Sequence, residues 1–212
     1  MSPENLRSIA RYRRHAAGYD ASAARTMPLR QRTIALLGLR PGEVVLDVGA
    51  GTGLSYALLR EAVGPGGRVL GVEQSPEMFA RAAQRVQQAG WANVWHTLAP
   101  AETAALPQAA DAALFNFTHD ILRSPAALDN LLRQLRPGAR IAVCGMKFFP
   151  WWTGPLNLLP WLKNRPYNAR AAELWRPWDL LQPRCVQWRQ QTVMCGMGYL
   201  ASARLGPPDA SR

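Results

Sequence analysis

Residues 45–59 read "VLDVGAGTGLSYALL". An apolar run meets Asp47, glycines follow at alternate positions (Gly49, Gly51, Gly53), and an apolar helical pattern then resumes. Glycine lets a chain turn sharply from strand into helix and lie against a ligand with no Cβ between them. A dinucleotide fingerprint, G-x-G-x-x-G, would need its third glycine where Leu54 stands, so the spacing disfavours NAD. The Gly-Lys-Ser/Thr ending of a phosphate-cradling loop is missing as well. A glycine triplet by itself also serves a plain tight turn, so its meaning depends on what flanks it.

Outward from the loop, strands and helices alternate. "EVVLDVG" (43–49) reads as a buried strand and "LSYALLREAV" (54–63) as a helix stopping at "GPGG". "RVLGVEQ" (68–74) is a second strand, and "SPEMFARAAQRVQQAG" (75–90) a helix with Ser75 as N-cap, Pro76 in the first turn and Gly90 past its end. "NVWHTLA" (93–99) and "DAALFNF" (111–117) are further strands; "AALDNLLRQL" (126–135) is a helix closed by "RPG", and "RIAVCGM" (140–146) a fifth strand. "CVQWRQQTVMCG" and "MGYLASARL" predict a closing antiparallel hairpin over 185–205, joined at Gly196 and Gly198. Upstream, residues 4–37 read as helical, interrupted near "AAGYDASA" and by Pro28. Strands separated by helices of ten or more residues imply βαβ units and a mainly parallel sheet.

The 212 residues fit one domain with a sizeable core. Hydrophobic residues make up 48% but lie in short runs, which argues against a membrane-spanning helix. No signal-peptide pattern opens the chain, and three scattered cysteines (Cys144, Cys185, Cys195) suit neither a disulfide framework nor a zinc site, so a cytoplasmic setting without a metal is expected. The net charge of +11 would suit nucleic acid or an anionic membrane. Nearly all of it is arginine, however, with Lys147 and Lys163 the only lysines, which a GC-rich coding bias also produces.

Glu73 ends the second strand, 20 residues after Gly53, where a carboxylate can accept both hydroxyls of an adenosine ribose. With these residues in place, "VLDVGAGTG", "GVEQSPEM" and "LRPGARIAV" resemble the motifs of class I S-adenosylmethionine-dependent methyltransferases. The nearest branch is the one that includes the ubiquinone and menaquinone C-methyltransferases (the methyltransferase type 11 group). The resemblance covers roughly residues 10–145 and implies an α/β, Rossmann-like, doubly wound seven-stranded sheet whose last strand is antiparallel. It also implies a helical N-terminal lid (1–40) and a cap insert (147–183) within one domain.

By that resemblance S-adenosylmethionine is the cofactor and S-adenosylhomocysteine the product. Asp47 and Gly49 would lie near the methionine part, Gly51 near the adenosine, and Met78 on the adenine face. Ala50, Gly53, Gln74, Ala101, Glu102 and Asn116 would complete the cofactor site, and Tyr19 in "AAGYD" would cover it as part of the lid. Arg30 or Arg32 would pair with the cofactor carboxylate. Two departures stand out. Where relatives carry "GDAE", this chain has "APAE", so Pro100 replaces an acid that bonds the adenine amino group, at a cost of about 1–3 kcal/mol of affinity. Where relatives read "NFVLHHL", it has "NFTHDIL", which puts His119 one position early and Asp120 where a histidine is usual.

Methyl transfer from a sulfonium is an in-line displacement that needs a base only if the acceptor must lose a proton. His119 and Asp120 are the candidate catalytic pair; His15 and His96 are weaker. The segment from Lys147 to Pro183, rich in Trp and Pro with basic residues between, suits a small apolar or lipid-like acceptor: a quinone precursor, a lipid headgroup or a secondary metabolite. It also suits peripheral contact with an anionic membrane, or a plain Trp-rich core. An RNA-directed enzyme is the alternative favoured by charge alone; without an Asn-Pro-Pro-Tyr-type motif after the fourth strand, a nucleic acid partner is not expected. A non-catalytic or partner-dependent member of the fold is the second alternative. Oligomeric state is not readable.

Overall fold

The computed structural model describes residues 26–164 and 174–207. Its strands are β1 Val44–Val48, β2 Arg68–Glu73, β3 Val94–Leu98, β4 Ala110–Asn116, β5 Leu135–Met146, β6 Cys185–Val193 and β7 Gly198–Leu205. Among the described residues the α-helices are α1 Met27–Leu37, α2 Tyr56–Val63, α3 Pro76–Gln88, α4 His119–Leu122, α5 Pro125–Leu132 and α6 Leu158–Asn164. The strands form one seven-stranded sheet in the order β3-β2-β1-β4-β5-β7-β6. Strands β1 to β5 pair in parallel, and β7 runs antiparallel to both β5 and β6, so the last strand alone opposes the rest.

Every residue of β1 is buried, because helices cover both faces of the sheet. Alternation divides the core in two. Val45, Val69 and Leu114 pack with Leu37 of α1 and Leu59 and Val63 of α2, whereas Leu46, Leu70 and Phe115 pack with Leu128 and Leu131 of α5. Helix α3 begins as its sequence predicts: the Ser75 hydroxyl accepts from the Met78 N–H at 3.4 Å, Pro76 occupies the first turn, and Gly90 beyond the end has φ +64°.

Pro28 lies in the first turn of α1, which begins at Met27, where its missing N–H costs nothing. Within the expected lid, residues 27–37 pack on the sheet: Ile34 and Leu37 are buried in the core, and Leu29 packs with Cys144 and Leu200. Residues 1–25 of the expected lid, including Tyr19, lie outside the described residues. "RPG" does not close a helix. Helix α5 ends at Leu132, and Arg136–Gly138 fall inside β5 next to a register shift opposite Ala110–Ala112, the kind of irregularity where a strand tolerates proline. The β6–β7 hairpin is present, with β6 ending at Val193 because Met194, Cys195 and Gly196 turn through positive φ.

Candidate active site

Period-two alternation puts Asp47, Glu73 and Asn116 on the same sheet face as Val45, Val69 and Leu114. Asp47 lies one residue from the end of β1, and Glu73 and Asn116 are the last residues of β2 and β4. The strand order reverses between β1 and β4, and at such a reversal an open α/β sheet leaves a crevice beyond its carboxyl ends. A cleft with about 530 Å³ of empty space, open to solvent, lies there.

Its floor is backbone. Gly49 has φ +61°, and a Cβ on it would stand 2.7 Å from the Thr118 methyl, so no side chain fits between β1 and the turn after β4. Gly51 has φ +60°, and its N–H donates to the Glu73 carboxylate at 2.8 Å. The other Glu73 oxygen accepts from the Ser75 N–H, also at 2.8 Å. A carboxylate has about four acceptor sites, so this one is oriented by two amides with capacity left for a ligand. Burial pushes the Glu73 carboxyl up to about 7, and the nearby Asp120 charge adds to the rise against the backbone N–H groups of Ser75, Gly51 and Gln74.

Asp47 is 2% exposed, and its Oδ2 has no partner among the described residues. Burial raises it to about 7 as well, opposed by the Arg30 charge and reinforced by Glu73. Of the two arginines singled out in the sequence, Arg32 is exposed and Arg30 is buried. The Arg30 guanidinium reaches Ser55 Oγ at 3.4 Å and lies 5.7 Å from the centre of the Phe117 ring. The Asn116 amide is buried with neither atom partnered among the described residues, as is the Thr118 hydroxyl.

Gly49, Gly51, Glu73, Gln74, Met78, Ala101 and Asn116 line the cleft, and so does Asp120. Ala50 and Gly53 instead shape the turn: the Ala50 N–H donates to Val72, and a Cβ on Gly53 would meet the Tyr56 ring at 2.7 Å. Asp47 lies beneath the loop, outside the lining. Glu102 turns away to accept from the Ser124 hydroxyl at 3.1 Å. His119 is not in the cleft either. Its Nε2 accepts from the Met146 N–H at 3.2 Å, satisfying a β5 amide beyond the end of β4, and burial pushes the ring down to about 4. A neutral imidazole with that nitrogen occupied by an amide is placed to hold the carboxyl end of β5, not to take a proton from an acceptor.

The sequence reading missed Phe117 and Thr118, both in the lining. Phe117 has φ +59°, a left-handed conformation rare for an aromatic residue, and the turn it makes aims Thr118 at Gly49. No local pattern marks such a turn. The bare glycine floor, the oriented carboxylate and the orphaned Asn116 amide together fit an adenosyl amino acid, with hydroxyls for Glu73 and a polar head for the buried amide and carboxylate.

Comparison with known proteins agrees with this geometry. A family model described as a methyltransferase domain matches residues 39–176, and the chain belongs to that family. The class uses S-adenosylmethionine as its cofactor. A protein-L-isoaspartate O-methyltransferase of Aeropyrum pernix is 35% identical over 142 residues, 67% of this chain and 51% of the relative. A malonyl-[acyl-carrier protein] O-methyltransferase of Serratia marcescens is 34% identical over 187 residues, 86% of this chain and 67% of the relative. Among solved structures, a SAM dependent methyltransferase from Aquifex aeolicus is 25% identical with a TM-score of 0.61, covering 83% of this chain and 89% of that one. The chain spans about half the length of the first of these relatives. Their names carry different acceptors, so the similarity carries the class and not the substrate.

Proposed function

We propose that this chain transfers a methyl group from S-adenosylmethionine to a small hydrophobic or amphipathic acceptor held between the cleft and the Trp- and Pro-rich cap. The bound cofactor supplies an electrophilic methyl on a sulfonium sulfur. Glu73, held by the Gly51 and Ser75 amides, accepts the ribose hydroxyls. Met78 packs on the adenine, and the Ala101 backbone serves the ring edge that Pro100 cannot reach with a side chain. Asp47 and Asn116 take the ammonium, and buried Arg30 faces the carboxylate. Positioning then supplies most of the rate, since an in-line displacement needs alignment more than proton transfer. Where an acceptor proton must leave, Asp120 is the ionisable group of the candidate pair that lines the cleft.

The observation that carries the apolar acceptor is the junction of cap and cleft. Met146, Phe148 and Leu174 form a buried cluster against which Phe117 and Trp161 pack, and Phe117 also lines the cleft. Phe117 and Ile121 thus give the cleft an apolar side, and through Phe117 it adjoins the aromatic cluster at the root of the cap segment. The test is a screen of quinols, phenols, amines and phosphatidylethanolamine with the cofactor, read by mass for the gain of one methyl. A methylated product from the apolar members supports the reading. Methylation of RNA alone would replace it.

A further inference from the structure

Phe148 to Leu162 is a fifteen-residue stretch without one charged side chain, bracketed by Lys147 and Lys163, the only lysines of the chain. It forms a 3₁₀ stretch, Trp151–Asn157, running into α6. The segment is anchored: Phe148 is buried, the Phe149 N–H donates to Asn157 Oδ1 at 2.8 Å, and the Thr153 hydroxyl donates to the Pro150 carbonyl at 2.7 Å. Yet Trp151 and Trp152, side by side, are 79% and 71% exposed, and Leu156, Leu158, Leu159 and Leu162 are exposed beside them. Scattered apolar residues on a surface need no explanation; six large ones within twelve residues, two of them tryptophan, mark a contact surface.

We propose that this surface docks on an anionic lipid bilayer, with Trp151 and Trp152 seated at headgroup depth and the leucines of α6 in the acyl boundary. At seven residues α6 is far too short to cross a bilayer and lies in its plane. Charge decides between the possible occupants. From residue 147 to 184 the sequence carries six basic and two acidic side chains, and the whole chain is +11. A second copy would bring like charge against like charge around the tryptophans, whereas an anionic bilayer meets them with the opposite sign. The position serves the chemistry too. The stretch leaves the carboxyl end of β5, and its buried root touches Phe117 in the cleft, so the docked face and the cleft lie at the same edge of the sheet. A membrane-resident acceptor would then reach the cleft without crossing water. That consequence rests on the methyl-transfer reading; the docking does not.

The test uses the full chain with vesicles of phosphatidylcholine alone and with phosphatidylglycerol added, followed by co-sedimentation and by quenching of tryptophan fluorescence with bromine-labelled acyl chains. The expected result is binding to the anionic vesicles with quenching. W151A/W152A should weaken it about tenfold or more while leaving cofactor binding, measured by calorimetry, unchanged. Absence of binding would overturn the proposal. So would binding that the double variant leaves intact, which is plain electrostatic adsorption. A concentration-dependent dimer abolished by W151A/W152A, with no vesicle binding, would assign the surface to a second copy. Loss of cofactor binding in the wild-type chain would count against the methyl-transfer reading and leave the docking result standing.

Discussion

The cofactor cleft and the cap segment beside it are built on opposite principles. The cofactor wall is backbone and buried charge: glycines with positive φ, a carboxylate held by two amides, and a second carboxylate beneath. The cap segment is side chain: Phe148 and Leu174 buried, Trp161 half-buried, a row of exposed tryptophan and leucine beyond, and Phe117 of the cleft lining packed against its root. A backbone wall accepts one ligand shape and tolerates few changes. A wall of apolar side chains accepts a chemical class and can be repacked. The first defines the cofactor, and the second leaves the acceptor open.

Gly49→Val strikes the first wall hardest. Its Cβ would lie 2.7 Å from the Thr118 methyl, at a φ of +61° that valine avoids. Cofactor binding should fall by about a hundredfold or more, read by calorimetry. Binding within a few-fold of wild type would mean that the glycine floor is only a turn.

A pH series tests the buried charge. Asp47 and Glu73 are both raised to about 7 by burial, so the free protein holds protons there that the unfolded chain has released. Their contribution to stability is full below the unfolded values near 4 and is lost as pH rises through 7. The cofactor's sulfonium and ammonium prefer both groups ionised. Affinity should therefore rise several-fold, up to about tenfold, from pH 6 to pH 8, with protons released near pH 7 in buffers of different ionisation enthalpy. A flat profile would show that neither carboxylate faces the cofactor's charge.

The smallest effect is expected at His119. In His119→Ala the Met146 N–H loses its partner, so stability should drop by about 1–2 kcal/mol by chemical denaturation. The pH dependence of methyl transfer should keep its shape. Loss of a rate limb near pH 6–7 in that variant would restore the histidine as a base.

The same contrast explains what could be read beforehand. The alternation of strands and helices and the glycine–Glu73 pair follow from periodicity and short spacings, which survive in a bare sequence, whereas the seven-stranded, doubly wound sheet follows from the family resemblance. The fates of His119 and Glu102 do not. Each depends on a tertiary partner that no repeating pattern marks, the Met146 amide and the Ser124 hydroxyl, and on which way a short turn points. Phe117 was invisible for the same reason: its left-handed turn is imposed by β4 meeting β5, where its N–H donates to the Cys144 carbonyl at 2.8 Å. "RPG" resembles a helix stop by local propensity, whereas an irregular strand accommodates its proline.

The central claim is that the cleft over β1, β2 and β4 binds S-adenosylmethionine through Glu73. Titration of the cofactor into the purified chain, with Glu73→Ala beside it, tests that directly. Micromolar binding by the wild-type chain, weakened by roughly 1.5–3 kcal/mol in the variant, is the predicted result. Equal binding by both would contradict the assignment of Glu73, and no binding by the wild-type chain would contradict the site itself.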